Sequence, residues 1–370
     1  MTFLPTEPFN DLPDLPPPQE LETLRVLKAA IDANARLAEL KGSGRVIPNQ
    51  NILLNALTIQ ESRLSSEIEG IVTTTDQLYR AMVVESERTD LHTKEVLRYR
   101  DAIWHGVARI REGRPLATVL FEELVQIIKQ NTAGVRRGLG TALLDERTLS
   151  IVYTPPVGED LIRRKLGNLE QFLHGNRETD ALVRMAVGHY QFEAIHPFSD
   201  GNGRTGRLLN VLFLMNQELL LEPVLYLSRY LIRHKNEYYR LLREVTEKGN
   251  WEAWVLFMLE AVRSTAESTL NQILSIRDLL EQFGDQVRQR AKGIYSKELV
   301  ELLFDRPYCK VQFLVDSGIA KRQTAAKYLK TLVDEGFLKD IKIGREKIYV
   351  NSKFMELLST PFVDGIDTTS

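Results

Sequence analysis

At 370 residues, with 43% hydrophobic content and a formal net charge of −2 from 48 basic and 50 acidic side chains, the chain can bury a substantial core in two or three domains. It carries no bulk charge that would point to nucleic acid or a membrane surface. The one cysteine, Cys309, excludes an internal disulfide framework and a Cys-rich zinc site, no apolar run approaches the roughly 18 residues of a membrane span, and without a basic-then-apolar leader a cytoplasmic protein is the default expectation.

Residues 1–18 hold six prolines, and Pro16-Pro17-Pro18 forbids helix, leaving an extended arm that is either loose or strapped along a groove. Over 20–40, Leu21, Leu24, Leu27, Ala30, Ile31, Leu37 and Leu40 recur at helical spacing, and Gly42-Ser43-Gly44 closes that helix. A second helix starts near Pro48-Asn49 and ends in Ser65-Ser66-Glu67-Ile68-Glu69-Gly70, where Ser65 and Glu69 share a face. Taken alone, Glu67 and Glu69 are solvated charges before a C-cap, although carboxylates there oppose the helix dipole and invite a cationic partner. Thr73-Thr74-Thr75-Asp76 supplies N-cap side chains for a helix through Val83, and two more helices follow near 92–111 and 115–131.

Gly134, Gly138 and Gly140 then interrupt the helical period. Two β-prone runs, 141–144 and 148–154, flank the turn Asp145-Glu146-Arg147 and stop at Pro155-Pro156, so they read as a hairpin. Helices over 159–173 and 180–194 lead into Ile195-His196-Pro197-Phe198-Ser199-Asp200-Gly201-Asn202-Gly203-Arg204-Thr205-Gly206-Arg207. Pro197 disfavours helix at His196, which leaves the imidazole at the mouth of a glycine-rich turn. The helix that resumes near Gly203 points its unpaired amides and positive dipole end at the same place. Arg204 and Arg207, three apart, project from one side of it. A neutral imidazole able to take a proton, a hard carboxylate ligand in Asp200, an anion hole and two cationic clamps amount to a phosphoryl- or nucleotidyl-transfer site. Phe198 is the apolar anchor of the loop, and His189 is a packed helix histidine.

Residues 196–207 resemble, at every fixed position, the signature H-x-F-x-[DE]-G-N-G-R-x-x-R of the Fic family, whose members typically move AMP from ATP onto a protein hydroxyl. The resemblance implies that His196 is the general base and Asp200 the ligand of Mg²⁺. It implies further that Gly201, Asn202, Gly203, Arg204, Thr205, Gly206 and Arg207 hold ATP, the two arginines taking the outer phosphates. Ser65 to Gly70 is similar to the [ST]-x-x-x-E-[GN] inhibitory motif of that family, by which Glu69, with Ser65, would occupy Arg207 and misalign ATP. The hairpin matches the family's flap, with Ile151, Val152 and Tyr153 bordering the nucleotide and offering a strand edge to a target. Asn236-Glu237-Tyr238-Tyr239 resembles the adenine-side helix, with Tyr238 or Tyr239 lining the base pocket. The absence of G-x-x-x-x-G-K-[ST] argues against a P-loop enzyme.

After a helix over 251–262, a polar connector over about 264–291 leads to three short helices at 296–304, 310–315 and 321–333 and two β-runs at 337–343 and 347–350, a winged-helix arrangement. Residues 293–358 hold 12 basic and 9 acidic side chains, 12 minus 9 being a surplus of three, with Lys321, Arg322, Lys327 and Lys330 on the third helix. That surplus is weak support for DNA binding, and such modules also bind proteins. The expected fold is mainly α, a Fic-type helical bundle with a small β-hairpin flap and a C-terminal winged-helix domain. Residues 1–112 form the N-terminal helical region with the inhibitory helix at 49–70, 113–262 the catalytic core, 263–291 the connector, 292–358 the winged helix and 359–370 a tail. The expected function is AMP transfer to a Tyr, Ser or Thr hydroxyl of a target protein, with self-modification and a homodimer left open and no membrane partner. A nucleotide-sensing DNA-binding regulator and removal of AMP by the same site are the alternatives.

Overall fold

The computed structural model describes residues 3–43, 49–84, 89–132, 134–138, 141–145, 148–175 and 178–359. Helix α1 (Leu24–Ser43) lies along the long C-terminal helix of the core and runs through Gly42 rather than stopping before it. The next helices begin where side chains satisfy their first amides. Asn49 accepts from the Asn51 amide to start α2 (Gln50–Ile68), and Thr74 forms a reciprocal capping box with Gln77 to start α3 (Thr75–Val83). Asp90 accepts from the Thr93 amide to start α4 (Leu91–Arg111), which packs on α5 (Thr118–Lys129).

The hairpin is shorter than its β-prone runs, with β1 (Leu143–Leu144) antiparallel to β2 (Ile151–Tyr153) and the register shifting between Leu143 and Leu144. Glu146 and Arg147 of the expected turn lie outside the described residues, as do Leu139 and Gly140. Helix α6 (Glu159–Gly175) precedes α7 (Ala181–Ile195), which Asp180 caps through the Leu182 and Val183 amides. Helix α8 (Asn202–Asn216) follows the loop. Nearly every side chain of α7 and α8 is buried, so these two helices are the centre of the bundle and carry no amphipathic stripe. The signature loop that joins them is therefore framed by the most buried helices of the bundle.

Helices α9 (Ser228–Arg233) and α10 (Lys235–Lys248) close one side, and α11 (Trp251–Arg290) then runs unbroken for 40 residues. The stretch expected as a polar connector is the second half of this helix. Its Thr265, Ser268, Thr269 and Gln272 are buried, and Gln272 bonds Gln60 of α2 at 3.1 Å, so polarity there marks internal hydrogen bonding instead of solvent.

Beyond a single 3₁₀ turn come α12 (Lys297–Asp305), β3 (Tyr308–Cys309), α13 (Val311–Asp316), α14 (Arg322–Asp334), β4 (Lys339–Ile343), β5 (Glu346–Val350) and α15 (Ser352–Ser359), so the expected three helices and two β-runs are joined by a short strand, β3, and a last helix, α15. The sheet order is β3-β5-β4, with Lys339 opposite Val350 and Ile343 opposite Glu346. Phe283 of α11 packs edge-on against Phe304 and Phe337, fastening this unit to the bundle. It also grips the N-terminal region. Asn55 donates to Asp305 at 2.8 Å, Gln60 donates to the Leu358 carbonyl at 3.0 Å, and Tyr79 stacks on Tyr308.

The N-terminal arm is strapped down. Lys165 bonds the Leu12 carbonyl and Asp14, Asn168 exchanges two hydrogen bonds with the Leu15 backbone, and Phe3 and Phe9 pack on Tyr153 of β2. Among the described residues no helix is long and apolar enough to cross a membrane.

Candidate active site

Helix α7 ends at His196, whose amide still donates to the Phe192 carbonyl at 3.0 Å while its backbone turns left-handed, with φ 49° and ψ 60°. A residue before proline avoids the helical region, and His196 leaves it by this uncommon route. Gly201 makes a second left-handed turn at φ 82°, and α8 begins at the next residue. Between them the loop closes on itself: Asn202 accepts from the Phe198 amide and donates to the Phe198 carbonyl, both at 2.8 Å, and the Thr205 hydroxyl donates to the Gly201 carbonyl at 2.9 Å. Asn202 and Thr205 thus hold the cradle's shape with their side chains. Phe198 is buried against Phe192, the anchor the sequence suggests.

His196 sits over this cradle. Burial, aided by the positive charge of Arg136, lowers its pKa to about 4 against the opposing pull of Glu69 and Asp200, so the imidazole is neutral at pH 7. Its Nδ1 is buried and makes no hydrogen bond among the described residues. A neutral ring with an uncommitted nitrogen suits proton acceptance.

Asp200 has a side chain 60% exposed at the lip of the cradle. Its Oδ2 lies 2.6 Å from Lys129 Nζ, and the Gly201 amide donates to Oδ1. Burial opposes its ionisation, but Lys129, Arg204 and that amide together hold the carboxyl below its ordinary value. One open carboxylate beside a phosphate cradle is the donor set with which Mg²⁺ is carried in on phosphates, so Asp200 fits that ion once Lys129 yields. Among the described residues no group of three or more His, Cys, Asp or Glu side chains forms a complete metal site.

The two arginines of the signature are both occupied. Arg204 is buried and pairs with Glu95 of α4 at 2.7 Å, and Lys129 reaches the same Glu95 oxygen at 2.8 Å. Arg207, its side chain 2% exposed, donates from Nε to the Ser65 hydroxyl and from Nη2 to the Ser65 carbonyl and to Glu69 Oε1, each at 2.8 Å. Burial disfavours the Glu69 carboxylate, yet the charge and hydrogen bond of Arg207 overcome this and hold it below its ordinary value. Glu69 lies directly on the first turn of α8. A Cβ built on Gly203 would come within 2.3 Å of its Oε1, so glycine is required for the carboxylate to sit there. The anion that this helix start receives is the chain's own.

Glu61, Ser65 and Glu69 recur every fourth residue on α2 and so line the face turned toward Arg207. Glu61 accepts from Ser228 at 2.6 Å and Tyr99 at 3.1 Å, and burial raises its pKa to about 7. Glu193, one turn before His196, is likewise pushed up to about 7 by burial.

Of the expected pocket residues, Tyr238 is buried and its hydroxyl donates to His189 Nε2 at 2.9 Å, while His189 donates from Nδ1 to the Gly206 carbonyl at 3.0 Å. His189 is a packed histidine, as expected, with its pKa lowered to about 3 by burial. Tyr239 faces outward, 41% exposed. On the flap, Tyr153 is buried and donates to the Ala194 carbonyl at 2.8 Å, which anchors β2 to the end of α7, while Ile151 is exposed and Val152 half-buried. Sequence reasoning missed Arg136, Glu95, Lys129, Glu61 and Glu193. The partners of Arg136, Glu95 and Lys129 lie far along the chain, whereas the fourfold spacing of Glu61 with Ser65 and Glu69 was there to be read.

Family models match the chain in three segments: the Fic/DOC family N-terminal region at 27–108, the Fic/DOC family at 117–214, and the C-terminal domain of the protein adenylyltransferase SoFic-like group at 279–354. A probable protein adenylyltransferase of Aquifex aeolicus is 25% identical over 78% of this chain and 83% of its own length. Protein adenylyltransferase fic-1 of Caenorhabditis elegans is 26% identical over 35% of this chain, which spans only 25% of that relative. The fold is similar to that of a Fic family protein from Desulfovibrio desulfuricans G20, with a TM-score of 0.57 at 20% identity, covering 90% of this chain and 98% of that one. With its signature loop built between α7 and α8 and its three domains matched in order, the chain belongs to the Fic/DOC family of nucleotidyl-transferring enzymes.

Proposed function

We propose that the chain is a protein adenylyltransferase that moves AMP from ATP onto a Tyr, Ser or Thr hydroxyl of a target protein, and that Glu69 holds it at low activity. The observation that carries this reading is the Glu69 carboxylate resting on the first turn of α8, bonded to Arg207 at 2.8 Å, beside a neutral His196.

In the active state His196 accepts the proton of the target hydroxyl as its oxygen bonds to the α-phosphorus. The bond from that phosphorus to the bridging oxygen breaks, and its electron pair leaves with pyrophosphate. The amides at the start of α8 and the helix dipole stabilise the charge that builds on the phosphate oxygens. Arg207, freed from Glu69, takes an outer phosphate through its planar fork. Mg²⁺ held by Asp200 would supply further charge neutralisation on the phosphates. The edge of β2 at Ile151 and Val152 orients the target's backbone. While Glu69 stays, Arg207 is satisfied and a γ-phosphate meets a carboxylate, so ATP sits out of line.

The test is incorporation from α-labelled ATP. Glu69→Gly should raise labelling well above the parent, with mass spectrometry finding an added adenylate on a hydroxyl residue of this chain or of a supplied target. Labelling no higher than the parent's would remove the inhibitory role. In that background His196→Ala should abolish transfer while nucleotide binding persists, and surviving transfer would remove the base assignment.

A further inference from the structure

Arg136 stands in the glycine-interrupted stretch before the hairpin, where nothing in the sequence singles it out. Its backbone amide donates to the Pro197 carbonyl at 2.9 Å. Its Nε donates to the His196 carbonyl at 2.8 Å, and its Nη2 reaches the Ile195 carbonyl at 3.2 Å and the Pro156 carbonyl at 2.5 Å. Three consecutive carbonyls at the end of α7 are thus taken up by one residue, at the point where a helix leaves such groups without partners and favours a cation. The residue between them is His196, in a left-handed conformation that a side chain before proline rarely adopts. The fourth carbonyl, of Pro156, lies just past β2.

We propose that Arg136 is a positioning residue for AMP transfer: by gathering the carbonyls of Ile195, His196 and Pro197 and that of Pro156, it fixes the imidazole over the cradle and ties it to the flap. This rests on the reading of His196 as the proton acceptor. Arg136 is buried, yet among the described residues no carboxylate is bonded to it and its Nη1 makes no hydrogen bond. Its charge is therefore not neutralised locally and acts on the ring beside it. The other charged groups facing His196 are Glu69 from α2 and Asp200 from the loop, both of which favour the imidazolium, with the buried Glu193 one turn earlier on α7. Arg136 opposes the two anions, and with burial it keeps the ring neutral and ready to accept. A cation that merely capped α7 would affect stability alone; one that also sets the ring would change the pH at which the enzyme works.

The experiment uses the full chain carrying Glu69→Gly, with Arg136→Ala and Arg136→Lys added separately. His196 is followed by NMR titration, and turnover and the KM for ATP are measured across pH. Arg136→Ala should move the His196 midpoint upward from that of the Glu69→Gly parent toward the ordinary value near 6.5, cut kcat by about 10²-fold through misplacement of the ring, and leave the KM for ATP within about threefold, since the cradle is untouched. Arg136→Lys should keep the midpoint and lose turnover, because a single ammonium cannot span the carbonyls that the fork spans. A folded Arg136→Ala chain with the parent's His196 midpoint and kcat overturns the inference. Should that variant not fold, Arg136→Lys decides, and parental turnover there overturns it as well. Transfer that survives His196→Ala sinks the base assignment instead, and the His196 midpoint in the Arg136 variants still reads the inference by itself.

Discussion

Arg204 and Arg207 leave α8 one turn apart and are equally buried, but the two sides of the site hold them differently. Arg204 faces α4 and α5, where Glu95 is shared with Lys129 and Lys129 also reaches Asp200, so four charges alternate in sign within one scaffold. Arg207 faces the last turn of α2, where its carboxylate partner is 35% exposed, sits at the C-cap and is followed by Gly70 in a left-handed turn. Helix ends open at far lower cost than helix middles. One cation is built in; the other is guarded by a group that can leave.

The sharpest break of this contrast is Arg207→Ala. Made in the Glu69→Gly chain, it should cost about 10²–10³-fold in labelling from α-labelled ATP, the range for losing one preorganised donor to a transition state, and a smaller loss would mean that Arg207 serves only the inhibited state. Next is Glu95→Gln, which strands a buried guanidinium and should destabilise the chain by about 3 kcal/mol in denaturant unfolding, whereas Glu69→Gly, at a more exposed pair, should cost markedly less. Equal losses would erase the distinction between the two sides.

The face of α2 offers a pH test. Because the folded pKa of Glu61 is raised to about 7 from an ordinary 4.5, the stability tied to its protonated form is fully present below about 4.5 and is lost as pH rises through about 7. Glu61→Gln should remove that loss, gaining about 1–3 kcal/mol over the parent at pH 8 and little at pH 4. Glu69 has the opposite sign. Its lowered pKa means that the pair's contribution is present above the ordinary carboxylate value and is lost only as pH falls through a point lower still, so inhibition should persist when activity is assayed at pH 5.5. The smallest effect expected is for Ser65→Ala. Loss of one hydrogen bond to a charged donor, about 1.5 kcal/mol, should raise basal labelling about tenfold.

What could be read in advance was whatever the chain states locally. Asn49, Thr74 and Asp180 announce helix starts through their own side chains, and His196 to Arg207 forms a site because twelve neighbouring residues fold back on one helix end. Glu69 was legible through its motif, although its partner lies 138 residues away. Arg136, Glu95 and Lys129 were not, since each acts through backbone or side chains brought near only by the packing of α4, α5 and α7. The second half of α11 misled for another reason: its threonines, serine and glutamine look solvated, yet they are buried and Gln272 reaches Gln60 of α2.

Helix α2 is about 28 Å long if straight, at 1.5 Å for each of its 19 residues. One end carries Glu69 against the cradle, while Asn55 toward the other end and Gln60 at the middle are bonded to Asp305 and to the Leu358 carbonyl of the C-terminal unit. It is a strut with a load at each end. Shifting α12 or α15 must either break those bonds or drag the strut, and withdrawing Glu69 by tilting it must in turn strain the far attachment. A movement of the C-terminal unit and a movement of Glu69 are thus tied together through a single helix.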